Sequence, residues 1–358
     1  MTRNCGFMGY HFYAAANEKG YAETRRLIET SGRLARTARL PNLVTIPVVV
    51  HLVEHRDQAK VTDAQVQAQL RTLNADFRGA NADRANLPEV FRALADDAGI
   101  EFQLARCDPF GRPTTGITRV ETSIVQFPAR QLQPDEDSGA AIDAELKMAG
   151  TGAAAWPRGD YLNIWVCNMG RNPLGYAAFP GSAAWRDGVV IDYTCFGSGG
   201  TARPEYDLGR TVTHEVGHWL DLLHIWGDDD GACSRSDNVS DTPNQGGSNG
   251  GTPAFPKVSC GNGPNGDLFM NFMDYVDDTA MFMFSAGQVD RMHAALSGPR
   301  RSLLSSRGLQ SADRAVAARG EMFAASFLKH IGIEDGATPD YVFDGVSWVS
   351  PAELDPGM

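Results

Sequence analysis

The spacing of apolar and polar residues changes sharply at Val44. Before it the chain is polar and rich in Arg and Ala, and "ETRRLIETSGRLARTARLPN" runs into Pro41. Helical turns fit the first part of that stretch, and an exposed connector open to proteolysis fits its Arg-rich end. "VTIPVVVHLVEH" then reads as a buried, β-branched strand, with Pro47 pointing to an edge position or an early bend. In "VTDAQVQAQLRTLNADFRG", Val66, Leu70, Leu73 and Phe77 recur at steps of four, three and four, which is one face of a helix capped by Thr62 or Asp63. "IEFQLARCD", "YLNIWVCNM" and "GVVIDYTCF" read as further strands, and "LGYAAFPG" as an edge strand bounded by Gly and Pro. Helices are expected over 210–224 and 285–296, with a loop-rich stretch at 227–267 between them. Beyond residue 300, Val316, Gly320, Phe323, Phe327 and Ile331 share one helical face in a separate tail. Strands mixed with helices, without regular βαβ alternation, predict an α+β layer.

Composition narrows the classes. At 358 residues the length suits one large domain with extensions, or two domains, and 42% apolar content can fill a sizeable core. Lys and Arg number 32 against 44 Asp and Glu, a net charge of −12 that argues against nucleic acid or another polyphosphate partner. The longest apolar run, "IPVVVHLV", is too short to span a bilayer. No secretory signal is visible at the amino end, so targeting residues were either removed beforehand or never present. Cysteines at 5, 107, 167, 195, 233 and 260 are too few for a disulfide-built scaffold and show no CxxC spacing.

Chemistry concentrates in "RTVTHEVGHWLDLLHIWGDDDG" (210–231). On a helix His214 and His218 lie one turn apart on one face, within reach of one ion. Zinc in a hydrolase takes three protein ligands and keeps a fourth position open. His224 completes the set only if the chain turns after His218, because ten residues of straight helix would carry it about 15 Å away. Asp221 stands where the extended motif HExxHxxGxxH has glycine, and Asp tolerates the left-handed backbone such a turn needs. Glu215 is placed to take a proton from water and pass it to a leaving amine. The plainer alternative makes these histidines ordinary helix and core side chains.

"HEVGHWLDLLH", followed by "SDTPNQ" and by "NFMDY" within "FMNFMDYVDD" (269–278), resembles the pappalysin family of metzincin metalloproteases, most of all its small microbial ulilysin-type members. The likeness spans roughly residues 44–298. It implies a twisted mixed β-sheet with a backing helix and an active-site helix above an irregular lower subdomain, with "LGYAAFPG" as a rim strand that binds substrate backbone by strand addition. The implied division is a pro-segment at 1–40, a catalytic domain at 41–300 and an extension of unknown role at 301–358. By the same resemblance Met273 forms the Met-turn beneath the ligands, and Tyr275 stabilises the oxyanion of the tetrahedral intermediate.

The resemblance also implies a disulfide between Cys233 and Cys260. A second one seen in close relatives is missing, since Thr252 and Ala280 occupy its positions. Structural calcium is implied at Asp237, Ser240 and Thr242, against the alternative of a solvated acidic loop. "RNCG" matches a cysteine switch, in which the Cys5 thiolate takes zinc's fourth position and Arg3 pairs with an acidic cleft residue. The alternatives for Cys5 are a disordered terminus or a disulfide to Cys107. Cys107, Cys167 and Cys195 read as buried thiols, or as one pair with one left over. Activation would follow a cut around Arg33 to Arg39. Ulilysin-type relatives cut before arginine, which makes Asp277 and Asp278 candidates for the pocket acid and Arg300, Arg301 and Arg307 candidate self-cleavage sites. The expected function is therefore that of a secreted, latent zinc endopeptidase acting on protein or peptide substrates. The rival readings are a zinc hydrolase of non-peptide amides or esters, and a silent zinc-containing binding module.

Overall fold

The computed structural model describes residues 3–18, 20–35, 39–40, 42–127, 138–170, 173–229, 231–310, 342–343 and 348–349. The expected tail helix around Phe323 and residues 36–38 of the connector lie outside the described residues. Two helices, α1 (Phe7–Asn17) and α2 (Tyr21–Ala35), precede strand β1 (Val44–His55). Then come α3 (Asp63–Phe77), α4 (Glu89–Arg92), β2 (Ile100–Leu104), β3 (Ile117–Thr122), α5 (Ser138–Lys147), β4 (Leu162–Cys167), β5 (Gly175–Ala177) and β6 (Val189–Asp192). The chain continues through α6 (Arg210–Trp219), β7 (Gly250–Gly251), β8 (Tyr275–Val276) and α7 (Ala286–Ser297). The short pair β9 (Val342–Phe343) and β10 (Trp348–Val349) lies in the tail.

β1 organises the main sheet, whose order is β2-β1-β4-β6-β5, with β3 also on β1. Its first half pairs in parallel with β2 and its second half with β3, while β4 runs parallel along the opposite side. Only β5 is antiparallel, against β6. Ile46, Val48, Val50 and Leu52 face a core shared with α3 and α6, whereas Val53 and Trp165 pack into a cluster on the other face. A parallel sheet covered on both faces explains why the strand reads as an unbroken apolar run. The edge position suggested for Pro47 is thus corrected. β1 is flanked on both sides, and Pro47 meets Gln103 of β2 one residue before β4 pairing begins at Val48.

α3 starts at Thr62, whose hydroxyl accepts from the Gln65 N–H at 3.2 Å. Its buried face packs beside α6, which is tied down by Arg210 pairing with Asp76 and Asp83 at 3.0 Å each. The helix expected over 210–224 stops at Trp219. Asp221 takes φ 78°, and Leu222 N–H folds back onto the Gly217 carbonyl at 2.9 Å, which ends the helix.

Below α6 the chain from 227 to 267 has little regular structure, and Cys233 and Cys260 form a disulfide there. α7 opens with a reciprocal capping box between Ser285 and Gln288. Residues 301–310, set apart with the tail in the sequence reading, pack on the domain: Leu303 is buried and Gly308 C=O accepts from Arg106 and Cys107. Arg300 is buried too, over the Trp219 ring and 2.9 Å from Asp187, which makes it a structural residue rather than an exposed cutting site. Cys107, Cys167 and Cys195 are buried and form no disulfide among the described residues.

Candidate metal centre

α6 carries His214 and His218 on its buried face, and the left-handed residue Asp221 turns the chain so that His224 comes back to them. The Nε2 atom of His218 lies 3.1 Å from Nε2 of His214 and 3.1 Å from Nε2 of His224. Each Nδ1 is engaged elsewhere: His214 with Phe272 C=O at 2.8 Å, His218 with Leu222 C=O at 2.8 Å, His224 with Asp228 Oδ1 at 2.7 Å. A proton on Nδ1 leaves Nε2 as a lone pair. Burial also pushes His214 and His218 well below the ordinary imidazole range, so they are neutral.

Neutral lone pairs converging this closely repel one another, and a cation between them removes the conflict. A tetrahedral zinc about 2.0–2.1 Å from each nitrogen requires nitrogens roughly 3.3 Å apart, close to the spacing found. The ligating atoms of Cys5, His214, His218 and His224 all lie within 4.8 Å of one another. Three imidazoles and a thiol are the donors zinc favours, so the residues present fit that ion.

Cys5 reaches the cluster because the segment before α1 lies along the start of β5. Leu174 N–H donates to Asn4 C=O and Gly6 N–H to Gly175 C=O, both at 2.9 Å, giving a parallel bridge between Cys5 and Gly175. The Cys5 thiol sits 3.4 Å from Glu215 Oε2, and its N–H donates to the Tyr275 hydroxyl at 3.2 Å. Burial pushes the Glu215 carboxyl up to about 8, with the Cys5 contact and the Arg3 charge opposing. The Tyr275 ring stands edge-on to His224 at 5.0 Å and to Trp226 at 4.7 Å. Met273 lies under α6, where a Cβ built on Gly217 would come within 2.5 Å of its sulfur. A Cβ on Gly175 would similarly meet Glu215 at 3.0 Å. Glycine at both positions lets the base and the floor approach, and the sequence reading singled out neither. Asp228 was missed as well, for want of any motif signal.

The acidic candidates separate. Asp278 is buried, accepts from Leu208 N–H at 2.9 Å and Arg210 N–H at 3.2 Å, and ion-pairs with Arg3. Arg3 also donates to Val276 C=O at 3.1 Å and Thr211 Oγ1 at 3.2 Å. Asp277 is only half-buried, and burial raises its carboxyl above the usual range. In the lower loop Asp237 is buried and accepts from Thr242 Oγ1 at 2.8 Å and Val239 N–H at 3.1 Å, while Ser240 is exposed. Burial lifts the Asp237 carboxyl to about 7.

α2 adds a second set of charged contacts. Arg25 pairs with Asp221 at 2.7 Å, and Glu29 meets Arg291 of α7 through two bonds of 2.9 and 2.7 Å. Arg291 itself pairs with Asp221 at 3.0 Å. The turn that delivers His224 is therefore held from both the amino-terminal segment and α7.

Comparison with known proteins agrees with this chemistry. The family described as pregnancy-associated plasma protein-A matches residues 149–297. A mutant promirolysin of Tannerella forsythia is 44% identical, with 82% of this chain and 95% of that chain covered and a TM-score of 0.73. Mature mirolysin of the same organism, in complex with a cleaved peptide, is 47% identical over 77% of this chain and 99% of that one, with a TM-score of 0.69. An extracellular metalloprotease of Arthroderma gypseum is 27% identical over 297 residues, 81% of this chain and 82% of its own length.

Proposed function

The chain belongs to the pappalysin family of metzincin metalloproteases, and from that premise we propose that it is a secreted zinc endopeptidase, held latent by residues 1–40 and cutting before arginine. The observation that carries this reading is the convergence of His214, His218, His224 and Cys5 on one point. Bound zinc would supply Lewis acidity towards a peptide carbonyl and lower the pKa of water.

The rest falls to the chain's own groups. Glu215 accepts the proton of the attacking water and returns it to the leaving amine. Tyr275 donates its hydroxyl to the oxygen that gains charge. Leu174 N–H and Gly175 C=O, bonded to residues 4 and 6 in the latent chain, offer the same two groups to a substrate backbone. Cys5 fills the open ligand position, and removing the segment would free it. Arg3 already occupies the place of a substrate arginine, which favours Asp278 over Asp277 as the pocket acid. Arg39, held by Asp96 at 2.7 Å and by Asp290, closes the stretch in which activation cutting is expected. Asp237 with Thr242 is the assigned calcium site, supported by a buried carboxylate that no cation pairs with among the described residues. Secretion is supported by relatives named as extracellular metalloproteases.

Mass spectrometry of the protein incubated with and without chelator tests the whole reading. Expected are chelator-sensitive cuts before arginine, the first of them in the connector. Glu215→Ala should bind zinc stoichiometrically and lose about 10²–10⁴-fold in turnover. Turnover that survives this substitution removes Glu215 from its role, and hydrolysis of non-peptide amides alone would favour the rival reading.

A further inference from the structure

We infer that Asp274 is a positioning residue for catalysis: it fixes the Tyr275 backbone so that the phenol hydroxyl meets the oxygen that gains charge. The inference rests on the role given to Tyr275 above. In "NFMDY", Met273 and Tyr275 have places in that reading, and Asp274 between them has none. Its side chain is fully buried, and four N–H groups converge on its two oxygens. Oδ1 accepts from the backbone N–H of Tyr275 and from that of Asn249, each at 2.7 Å. Oδ2 accepts from Gln245 Nε2 and from Asn249 Nδ2, each at 2.8 Å. Gln245 and Asn249 are buried as well, and no cation pairs with Asp274 among the described residues.

A carboxylate is the side chain this cradle asks for. Each oxygen takes two donors, and hydrogen bonds to a charged acceptor are roughly twice as strong as neutral ones. Burial raises the carboxyl to about 6 with the donors opposing, so it is largely ionised at neutral pH. The clasp ties the segment of Met273 and Tyr275 to the loop residues just ahead of β7. β7 and β8 themselves pair at two positions, Gly250 with Tyr275 and Gly251 with Val276. Asp277 N–H adds a bond to Gly251 C=O at 2.9 Å. So short a pairing is a weak anchor alone, and Asp274 reinforces it at the end where Tyr275 begins.

The hydroxyl lies at the far end of a rigid ring. The rings of His214, His224 and Trp226, at 5.7, 5.0 and 4.7 Å, set its sideways position. The backbone of residue 275 sets how far it reaches. In the latent chain the hydroxyl takes the Cys5 N–H at 3.2 Å, which places it beside the histidine cluster. A misplacement on the order of 1 Å near reacting atoms costs about 10²-fold in rate. Because Tyr275 meets the oxygen as charge develops, a loss of position falls on kcat and leaves KM alone.

The test uses the full-length protein processed to its active form. Asp274→Ala should lower kcat about tenfold or more, with KM and zinc content unchanged. Asp274→Asn, whose amide oxygen still takes the two backbone N–H groups, should recover part of the loss. Tyr275→Phe should itself lower kcat about 10²-fold, and adding Asp274→Ala to it should lower kcat no further. A phosphinic peptide shaped like the tetrahedral intermediate should bind Asp274→Ala about tenfold more weakly, while a cleaved product peptide binds as before. An unchanged kcat in Asp274→Ala, a loss that falls on KM, or an equal loss with and without Tyr275→Phe overturns the role of Asp274. If Tyr275→Phe turns over at the parent rate, the reading of Tyr275 fails and this inference with it, while the peptidase reading stands. Gln245→Met and Asn249→Ala each remove one donor and keep the carboxylate. Their smaller kcat losses should also vanish in the Tyr275→Phe background, so misfolding of Asp274→Ala does not blunt the test, and losses that persist there overturn the inference.

Discussion

Gly217 and His51 do work that no motif announces. Gly217 lies between Glu215 and His218 on α6, and a methyl group there would meet Met273 Sδ at 2.5 Å and Leu222 Cδ1 at 3.5 Å. Gly217→Ala should destabilise the fold by about 1–3 kcal/mol and loosen the hold on zinc, because the thioether must leave its place. Thermal unfolding and metal titration read both effects, and adding Met273→Ala should recover part of the loss. His51 is buried in β1, with Nε2 3.0 Å from Asn163 Oδ1 and Nδ1 2.8 Å from Thr118 Oγ1. Burial lowers its pKa to about 4. The unfolded chain therefore binds this proton first, and the contribution of His51 to stability is present above pH 6.5 and lost as pH falls to 4. The change is about 3 kcal/mol, from roughly 1.4 kcal/mol per unit. Urea unfolding of His51→Gln beside the parent, from pH 7 to pH 4, should show the parent alone losing this increment. At this scale His214, Glu215 and His218 were legible because their spacing follows from helix geometry, and His224 because the extended motif calls for a third ligand after a turn. Gly175, Gly217 and Asp228 were not, since their roles depend on atoms brought together from distant parts of the chain.

Among the elements, legibility followed burial. β1, β4 and β6 are buried along their length and announced themselves as apolar runs. β3, "ITRVET", escaped because it is short, charged and only partly buried, and it is recruited by the second half of an overlong β1. The carboxyl end of α6 was placed too late because "WLDLLH" continues the apolar pattern past the residue where the backbone turns left-handed. The loop stretch 227–267 carries little apolar packing, with Val239 its buried apolar side chain, and its disulfide spans a separation of 27 residues. Replacing Cys233 and Cys260 together by Ser should cost about 3 kcal/mol in the loop-entropy account. Thermal unfolding of the double variant in the presence of zinc measures it.

Across the whole molecule the amino-terminal segment is fastened by ion pairs as well as by its buried side chains and its backbone bonds to β5. Arg3 meets Asp278, Glu18 meets Arg186, Arg25 meets Asp221 and Glu29 meets Arg291. Sequence analysis offered the Cys5 thiol and an acidic partner for Arg3 without naming Asp278 as that partner, and the other three pairs needed the docking of α1 and α2. Buried pairs lose most when one partner is removed, because the other charge is stranded. Arg25→Ala combined with Glu29→Ala should therefore shorten the lag before self-activation several-fold with Cys5 intact, as read by peptide turnover over time. An unchanged lag would show that these two pairs do not control release of the segment.

The direction in which residues 3–6 lie against β5 has a further consequence. On the proposed reading the segment offers the Asp278 pocket an arginine while running parallel to β5, and a substrate added antiparallel to that edge strand would present its peptide groups in the reverse sense. The segment can mimic a substrate closely without being consumed as one. Release then has to come from severing the tether elsewhere. Once the tether is cut, the segment must find the cleft again as a dilute, separate molecule, and activation becomes effectively one-way.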